Sequence, residues 1–474
     1  MLASSRTGIV GCSLDVVTNP NLVKFIETIS AKLDNGAIVD DPELILPFTT
    51  DWTQRVKGTT DLLVRPKDHQ GVVDVVRAAI QSHVKLQIQG GNTSLSGGSV
   101  PQAGEVLLSL SRMNSRCEVD PDTLVAQVDA GVTLERLQRE AMKYHLTLGV
   151  DLASRGSATL GGMAATNAGG LHVLRYGAMR SSVISLRCVW GDGTDSPRNV
   201  PLIKDNSGIS FSPLVVGSEG TLAVITELSL RLVPVLASNA VAVVPFMSIP
   251  KAVSFAGKVR RMTDSISAIE MISKQAIRVV EELNGTVFPI KDPFEIVLLV
   301  EISSNGDAGN ELTKILGKSL DESQLQSTLL GIDGGPREGL WAWRESITEA
   351  IQRRGEPLKL DLSVPIASLG ELWQSIDTVQ KGFAGRLEVV RFGHLGDGNI
   401  HVNLLGDEDI LKRAEREIYQ RVASLDGSIT AEHGIGTLKK DFLELVRTKN
   451  ELARMRELIE IFNPARTLNP NILL

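Results

Sequence analysis

Three glycine-rich segments interrupt the first half of the chain and restrict the folds that are open to it. They are GGNTSLSGG at residues 90–98, ATLGGMAATNAGG at 158–170 and GSEGTLAVIT at 217–226. Glycine-rich loops beside strands indicate either tight turns or a close approach of the backbone to a ligand. One such loop is usually structural, but three in one region favour ligand binding.

The first glycine segment suits a pyrophosphate better than it suits a nicotinamide Rossmann unit. It matches neither the dinucleotide fingerprint nor a Walker loop, and Pro101 disfavours a helix directly after it. The segment does offer a run of backbone N–H groups among small polar side chains. Such a run can form a nest for phosphate oxygens.

The pattern of predicted elements changes near residue 235. Before it, short β-branched runs alternate with amphipathic helices such as HQGVVDVVRAAIQSH. After it, long helices separate the strand-like runs NAVAVVPF and FEIVLLVEIS, which indicates an antiparallel sheet covered by helices. Since 474 residues exceed one ordinary hydrophobic core, the sequence predicts an α+β protein of two or three domains, with the tail FNPARTLNPNILL packed back on the first.

Composition and charge argue against several classes of protein. A net charge of −7 without a basic run gives no support to nucleic-acid binding, and no apolar run approaches the roughly 18 residues of a membrane span.

The cysteines bear on the cellular compartment. The sequence places Cys12, Cys117 and Cys188 too far apart for a disulfide framework, which favours a reducing compartment. The N-terminus MLASSRTGIVGCSLD has no apolar core and too few arginines for a transit peptide. We expect a cytoplasmic protein, with the mitochondrial matrix as the alternative.

Two histidines flank a predicted turn in HLGDGNIHVN. If Asp397 and Gly398 form a two-residue type I′ turn, His394 lies directly opposite His401. Strand alternation then places Asn403 on the same face. Two facing histidines are more often hydrogen-bonded or exposed than bound to a metal, so the pair alone is weak evidence for a metal site.

A third metal-binding candidate follows in TAEHGIGTLKK, which contains Glu432 and His433 before a glycine turn. Two histidines and a carboxylate with an open position form the ligand set of a catalytic metal. The sequence therefore predicts a site that joins these two stretches.

The stretch WAWRESITEAIQRRGEPLKLDLSVP combines a predicted helix with a following extended segment. Arg344 and Thr348 are four residues apart on one face of that helix, and Lys359 follows on the extended segment. A face of this kind is ordinarily solvated. These residues alone predict only a polar surface.

Longer motifs resemble two parts of one known family. A resemblance to the flavin-binding domain of the vanillyl-alcohol oxidase/p-cresol methylhydroxylase superfamily rests on RPKDHQGVVDVVRAA, IQGGNTSLSGGSVP, GGMAATNAGGLHVLRYGAMRSSVISLRCVWGDG and GSEGTLAVITELSLRL. A resemblance to the C-terminal part of its FAD-linked D-2-hydroxyacid dehydrogenase branch rests on GHLGDGNIHVNLL, AEHGIGTLKKDFL and FNPARTLNPNILL. The motifs span roughly residues 60–474 and are more specific for the family than for the substrate.

The resemblance implies an FAD-binding domain at residues 1–235, a substrate or cap domain at 236–424, and a segment at 425–474 that completes the active site. In the family the glycine segments enclose FAD, and the matching positions here are Gly90, Gly91, Asn92, Thr93, Gly97, Ser157, Thr159, Gly162, Ala165, Thr166, Gly217, Glu219, Gly220, Thr221, Ile225 and Asn469. Some relatives tether the flavin to a histidine beside these loops. Because neither of the first two loops contains one, we expect FAD to be bound non-covalently.

The resemblance also assigns chemistry to the second half of the chain. Hydride removal from the Cα of a 2-hydroxyacid needs a base for the hydroxyl proton and a group that stabilises alkoxide character, such as a divalent metal. The matching positions are His394, His401 and Glu432 as metal ligands, His433 as general base, and Arg344, Thr348, Lys359, Asn403 and again His433 as substrate contacts. Zinc is the first expectation for this ligand set, with manganese or cobalt as alternatives.

The implied activity is FAD- and metal-dependent oxidation of D-2-hydroxyglutarate to 2-oxoglutarate, with hydride transfer to the flavin. D-lactate or glycolate oxidation is the alternative within the class, and a flavin-free binding or electron-relay subunit is the alternative outside it. Electrons would pass to an acceptor protein such as electron-transfer flavoprotein, or to a quinone. The oligomeric state stays open, with a homodimer as one option.

Overall fold

The structure, a computed structural model, describes residues 19–196 and 199–474. Within these ranges the chain forms three β-sheets, two in its first half and one in its second. Cys12 and the rest of the N-terminal segment MLASSRTGIVGCSLD lie outside the described residues. No helix in these ranges is both long enough and apolar enough to cross a bilayer.

The first sheet carries the first glycine segment at its edge. Its strands are β1 (Ile38–Val39), β2 (Leu63–Val64), β3 (Leu86–Gln89) and β4 (Val106–Ser109), in the order β1-β2-β4-β3. β4 pairs in parallel with both β2 and β3, whereas β1 and β2 are antiparallel. Since the glycine segment follows β3 directly, it begins at the carboxyl end of a parallel strand.

The second sheet is antiparallel and centres on its longest strand. Its strands are β5 (Cys117–Asp120), β6 (Val125–Asp129), β7 (Leu146–Leu148), β8 (Val183–Trp190) and β9 (Ala223–Pro234). β9 pairs with β6, β7 and β8. The third glycine segment leads into β9, so a strand in the middle of the sheet fixes where that segment lies.

The third sheet has seven antiparallel strands. They are β10 (Ser238–Phe246), β11 (Ile266–Ser273), β12 (Ile296–Ser304), β13 (Leu329–Ile332), β14 (Leu358–Ser363), β15 (Glu388–His394) and β16 (Asn399–Leu405), in the order β13-β10-β12-β11-β15-β16-β14. The predicted domain division after residue 235 falls between β9 and β10. Neighbouring strands at one end of this sheet, β15, β16 and β14, carry four of the candidate residues: His394, His401, Asn403 and Lys359.

Both faces of the third sheet are buried. Along β10, Ala240, Ala242 and Val244 pack into one apolar cluster, whereas Val241 and Val243 pack into another. Alternate residues of a strand point to opposite faces, so helices must cover the sheet on both sides. The predicted mixed fold, with an antiparallel sheet covered by helices, is confirmed.

The helices of the described residues pack around these sheets. The first half contains α1 (Pro20–Ser30), α2 (Pro42–Ile45), α3 (His69–Gln81), α4 (Leu134–Met142), α5 (Leu160–Thr166), α6 (Val173–Tyr176), α7 (Met179–Ser182) and α8 (Ser212–Val215). The second half contains α9 (Ile249–Arg260), α10 (Lys274–Asn284), α11 (Ala308–Ser319), α12 (Glu322–Gln326), α13 (Gly334–Glu345), α14 (Ile347–Gln352), α15 (Leu369–Gly382), α16 (Glu408–Ser424), α17 (Leu443–Val446) and α18 (Lys449–Phe462). Short 3₁₀ turns occur at Leu46–Phe48, Ile366–Ser368 and Lys440–Phe442.

Local sequence explains where several helices start, and burial explains their composition. The side chain of Asp68 caps α3 by accepting the backbone N–H of Gly71 at 2.8 Å. The helix is rich in valine, which has a low helix propensity, but Val72 and Val76 are fully buried. Packing of this apolar face therefore outweighs the local preference.

One predicted helix is divided in two. We expected REGLWAWRESITEAIQRR to form a single helix, but Ser346 separates α13 from α14. The ψ angle of Ser346 is −13°, close to a turn value and away from the helical value near −42°. Arg344 and Thr348 thus belong to successive helices and not to one face of one helix.

The C-terminal tail packs against the first sheet. The backbone N–H of Leu86 donates to the carbonyl of Thr467 at 2.8 Å, and the N–H of Asn469 donates to the carbonyl of Leu86 at 2.9 Å. The Asn469 side chain also accepts the N–H of Ile88 at 2.7 Å and donates to the carbonyl of Glu219 at 2.7 Å. The tail therefore joins β3 to the third glycine segment.

Candidate active site

The two histidines of β15 and β16 lie side by side, but in a different register from the predicted one. The structure pairs His401 with Phe392, so His394 and His401 are diagonal and not direct partners. The predicted type I′ turn is wrong, because it requires a positive φ at both central residues and Asp397 lacks one. The Nε2 atoms of the two histidines nevertheless lie 3.3 Å apart.

The register shift has a cause in the neighbouring strand. Gly396 donates its N–H to the carbonyl of Ile269 in β11 at 3.2 Å, and Leu395 is fully buried. The end of β15 is thus held on β11 and not on β16. The connection becomes a four-residue loop over 395–398, and the histidines stay on one face, where diagonal neighbours can touch.

Glu432 reaches the histidine pair from the C-terminal segment. Its Oε2 atom lies 3.8 Å from His394 Nε2 and 4.0 Å from His401 Nε2, and its Oε1 accepts the N–H of Gly170 at 2.7 Å. A Cβ at Gly169 would lie 2.4 Å from Oε1, so the second glycine segment must be free of side chains there. The ligand atoms of the three residues lie within 4.8 Å of one another, which brings the three predicted ligands together.

Two buried carboxylates that the sequence analysis missed hold these histidines. Glu270 Oε1 lies 2.5 Å from His394 Nδ1, and Asp361 Oδ1 lies 3.5 Å from His401 Nδ1. Both imidazoles therefore direct Nδ1 at a carboxylate and Nε2 towards Glu432. This is the arrangement in which histidine ligands are oriented for a metal by outer carboxylates.

One feature of the sequence could have revealed both carboxylates: each is the only acidic residue of an otherwise mostly apolar strand. Glu270 interrupts ISAIEMIS and Asp361 interrupts LKLDLS, and both are buried. Buried acids are rare unless they are paired, so each position indicated an unseen partner.

A second group of ligand atoms, from Asp361, His401 and His433, is equally compact. Asp361 Oδ2 already accepts the backbone N–H groups of Ala431, Glu432 and His433 at 3.0, 2.7 and 2.9 Å. Asn399 donates to its Oδ1 at 2.8 Å. Because Asp361 is occupied in this way, the group of His394, His401 and Glu432 fits a divalent cation better.

The electrostatics of this group favour a cation. Burial lowers the pKa of His401 to about 3 against the opposing charge of Asp361, so its imidazole is neutral at pH 7. Burial raises the pKa of Glu432, but the charge of His394, its hydrogen bond to Glu432 and the charge of His401 together lower this pKa to about 2. Burial lowers the pKa of His394, but the charges of Glu270 and Glu432 raise it well above its usual value, so a cation would have to displace a proton from His394. Two neutral imidazoles beside an ionised carboxylate would then bind the metal.

His433 lies beside this group. Its ring stacks on that of His401 with centroids 5.9 Å apart and an angle of 9° between the planes. Burial lowers the pKa of His433, so this imidazole is also neutral near pH 7 and able to accept a proton.

The predicted substrate contacts line the same cavity as this cluster. Arg344, Thr348, Lys359 and Asn403 all reach its wall. Lys359 and Asn403 are direct partners on β14 and β16. The Arg344 guanidinium also packs over the Phe392 ring at 4.4 Å, and its Nε donates to Glu270 Oε2 at 2.8 Å.

The cavity has a volume of about 800 Å³, and most of the predicted flavin positions line it. These are Gly90, Gly91, Asn92, Thr93, Thr159, Gly162, Ala165, Thr166, Glu219, Gly220, Ile225 and Asn469. The other four, Gly97, Ser157, Gly217 and Thr221, do not reach its wall. Ser157 instead supports the wall from behind, because a Cβ at Gly91 would lie 1.9 Å from its carbonyl oxygen.

The first glycine segment presents free donors to this cavity. No described residue accepts a hydrogen bond from the backbone N–H groups of residues 90–95. Asn92 and Ser99 tie the loop internally, since Ser99 Oγ donates to Asn92 Oδ1 at 2.7 Å. A fixed loop with unpaired N–H groups fits the diphosphate of FAD.

Comparison with known proteins agrees with this geometry. Two family models match the chain, an FAD binding domain over residues 60–195 and the C-terminal domain of FAD linked oxidases over residues 236–472. The chain is 34% identical to a mitochondrial D-2-hydroxyglutarate dehydrogenase from Bos taurus, with 92% of this chain and 80% of the relative covered. It is 33% identical to a putative mitochondrial D-lactate dehydrogenase from Schizosaccharomyces pombe, with 92% and 87% covered.

The fold is similar to that of solved structures with little sequence identity. A p-cresol methylhydroxylase structure superposes with a TM-score of 0.75 at 15% identity, with 96% of this chain and 97% of that chain covered. This likeness concerns the fold alone.

Proposed function

Since this chain belongs to the FAD-linked D-2-hydroxyacid dehydrogenases of the vanillyl-alcohol oxidase/p-cresol methylhydroxylase superfamily, we propose that it oxidises D-2-hydroxyglutarate to 2-oxoglutarate with the help of a bound divalent metal. The observation that carries the proposal is that one cavity is lined by residues from both halves of the chain. Its walls include residues of the glycine segments as well as the cluster of His394, His401, Glu432 and His433. A substrate between them would touch both.

Two bound groups would supply chemistry that side chains lack. FAD, held non-covalently by the glycine segments, supplies the two-electron acceptor for the hydride. A divalent cation, with zinc the first candidate, supplies positive charge next to the substrate hydroxyl. His394, His401 and Glu432 would hold that cation.

His433 would take the proton of the substrate hydroxyl. Its imidazole is neutral and stacks on His401, one of the proposed ligands of the cation, which supports this role. The three hydrogen bonds from residues 431–433 to Asp361 fix the backbone that carries this base. A general base must be within reach of the proton that it removes, and this backbone anchor provides that placement.

The preference for a dicarboxylate rests on Lys359. No carboxylate among the described residues forms an ion pair with its ammonium, and burial lowers its pKa. An unpaired, partly buried cation is available to a second carboxylate, which glutarate has and lactate lacks. Arg344 suits the carboxylate that both substrates share, because its planar guanidinium can bind two oxygens at once.

D-lactate oxidation is the second candidate function, and the Schizosaccharomyces pombe relative favours it. Reduction of the bound flavin by D-2-hydroxyglutarate, its L-enantiomer and D-lactate, followed under anaerobic conditions with metal-loaded protein, separates the two. We expect the largest second-order rate constant of flavin reduction for D-2-hydroxyglutarate. A larger value for D-lactate contradicts the proposal.

Other parts of the proposal concern partners and location. We propose electron-transfer flavoprotein or a quinone as the electron acceptor, and a homodimer as one assembly to test. A cytoplasmic location stays a prediction, whereas the names of the relatives support the mitochondrial matrix as the alternative.

A further inference from the structure

A short hairpin at residues 49–58 connects the flavin side of the cavity to its substrate side. The backbone N–H of Gly58 donates to the carbonyl of Thr49 at 2.8 Å, and that of Asp51 donates to the carbonyl of Val56 at 3.0 Å. The buried Asp51 carboxylate also accepts the N–H of Val56 at 3.1 Å, which stiffens the turn. These bonds make the hairpin a defined element and not a loose loop.

The hairpin is attached at both of its sides. Asn92, in the first glycine segment, donates its side-chain N–H to the carbonyl of Thr50 at 2.8 Å. Arg55 donates to the carbonyl of Pro357, two residues before Lys359, at 3.4 Å. The hairpin therefore spans from the predicted pyrophosphate loop to the start of β14.

Trp52 lies between these two attachments and faces the cavity. The Lys359 Nζ atom is 4.8 Å from the centroid of the Trp52 ring, and Trp52 lines the cavity although 48% of its surface is exposed. The face of an indole attracts an ammonium group without neutralising it. Among the described residues no acid is paired with Lys359, so this ring is its charge-stabilising neighbour.

We propose that Trp52 is a specificity-determining residue, which holds the Lys359 ammonium at the cavity wall and keeps it free for the distal carboxylate of a dicarboxylic 2-hydroxyacid. This inference rests on the proposed function, since Lys359 is the group through which Trp52 acts. Without the ring, the flexible lysine side chain would hydrate and lose its fixed position. Binding of the dicarboxylate would then weaken, whereas a monocarboxylate makes no use of the contact.

The test compares Trp52→Leu with Trp52→Phe in the holoenzyme, with rates normalised to flavin content. Leucine keeps apolar bulk but has no ring face, whereas phenylalanine keeps a weaker one. We expect Trp52→Leu to lower the preference for D-2-hydroxyglutarate over D-lactate by roughly 2- to 30-fold, mainly through KM, and Trp52→Phe to retain most of it. Tyr144→Ala is the matched control, since Tyr144 is also 48% exposed but lies away from the cavity.

A double-mutant cycle with Lys359→Ala shows whether the effect passes through the lysine. In that background Trp52→Leu should change the preference no further, because coupled residues are not additive. Equal losses on both substrates, an unchanged preference in Trp52→Leu, or additive losses in the double variant overturn the inference. Should Lys359→Ala keep the wild-type preference, Lys359 does not bind the distal carboxylate and the inference fails, whereas the proposed function fails only if the wild type itself prefers D-lactate; a selective loss in Lys359→Ala without one in Trp52→Leu overturns the inference alone.

Discussion

The carboxylate of Asp361 lies 2.9 Å from the backbone nitrogen of His433, so a buried strand residue holds the candidate base from behind. The other oxygen of the same carboxylate faces His401. One side chain thereby fixes the positions of the base and of a candidate metal ligand. Loops carry the reactive groups in many enzymes, and here the rigid third sheet fixes such a loop through a single residue.

Asp361→Asn should lower kcat more than it raises KM. An amide in place of the carboxylate has only one accepting oxygen, so either the backbone N–H groups of residues 431–433 or the groups that face the other oxygen, Asn399 and His401, lose their acceptor. Loss of hydrogen bonds to a buried charge costs about 1.5–3 kcal/mol, which corresponds to a roughly ten- to hundredfold fall in kcat. Steady-state kinetics with D-2-hydroxyglutarate measure this.

Asp426→Asn provides the control for that variant. Asp426 is exposed and has a φ of 54°, a conformation that asparagine tolerates well, so its replacement should leave kcat unchanged. If Asp361→Asn keeps kcat within about twofold of the wild type, the carboxylate is not needed to position His433.

The fold class and the candidate ligands could be predicted from the sequence because both rest on local signals. Alternating apolar residues predicted the strands, and the glycine segments predicted loops that approach a ligand. The partner of His394 could not be predicted in the same way. Glu270 lies 124 positions earlier in the chain, and only the order of strands β11 and β15 in the sheet brings them together.

The predicted register of the histidine hairpin was also wrong because of a contact with a residue that is distant in the sequence. The composition of Asp397 and Gly398 is typical of a two-residue turn, but burial of Leu395 and the bond from Gly396 to Ile269 favour a longer loop. A contact with a distant strand thus outweighs the local preference of the turn. The histidines remained neighbours because a shift of two residues keeps a side chain on the same face.

His401→Ala should lose both the metal and turnover but keep FAD. The remaining two ligands are too few for a stable site, and the glycine segments that are proposed to hold the flavin belong to other elements. Mass spectrometry of the purified protein measures the loss of metal, and kcat measures the loss of turnover. Flavin absorbance shows whether FAD is retained. A chelator should produce the same loss in the wild type, and added zinc should reverse it.

His83→Asn is the matched control for the loss of a histidine. His83 is exposed, lies outside the cavity and has a φ of 53°, which asparagine accommodates. Metal content and kcat should both stay at the wild-type level. Stoichiometric metal together with normal kcat in His401→Ala contradicts the proposed ligand set.

Gly91→Ala should prevent FAD binding. The new Cβ would lie 1.9 Å from the carbonyl oxygen of Ser157, so the first glycine segment would have to move away from the second. The cavity between them would change shape where the diphosphate is expected. The measurement is the ratio of flavin to protein absorbance after purification, and acid precipitation of the wild type should release the flavin if it is not covalently bound.

Gly317→Ala separates this effect from a general cost of replacing glycine. Apart from its chain neighbours and the backbone of its own helix, no described atom lies within 4 Å of a Cβ built at Gly317, which is inside α11. Alanine there should keep full flavin content and raise stability by up to about 1 kcal/mol. A Gly91→Ala protein with full flavin content shows that the glycine segments do not enclose the cofactor as proposed.

Lys359→Ala should distinguish a dicarboxylate from a monocarboxylate. Removal of the ammonium takes away a hydrogen bond to a charged group, worth about 1.5–3 kcal/mol, so kcat/KM for D-2-hydroxyglutarate should fall roughly ten- to hundredfold while D-lactate is little affected. Arg344→Ala should impair both substrates, because Arg344 is proposed to bind the shared carboxylate and because Glu270 loses the donor that lies 2.8 Å away. Lys412→Ala, which removes an exposed lysine on α16, should impair neither. Equal losses on the two substrates in Lys359→Ala would place this lysine at the shared end of the molecule, and the preference for hydroxyglutarate over lactate would then lose its structural basis.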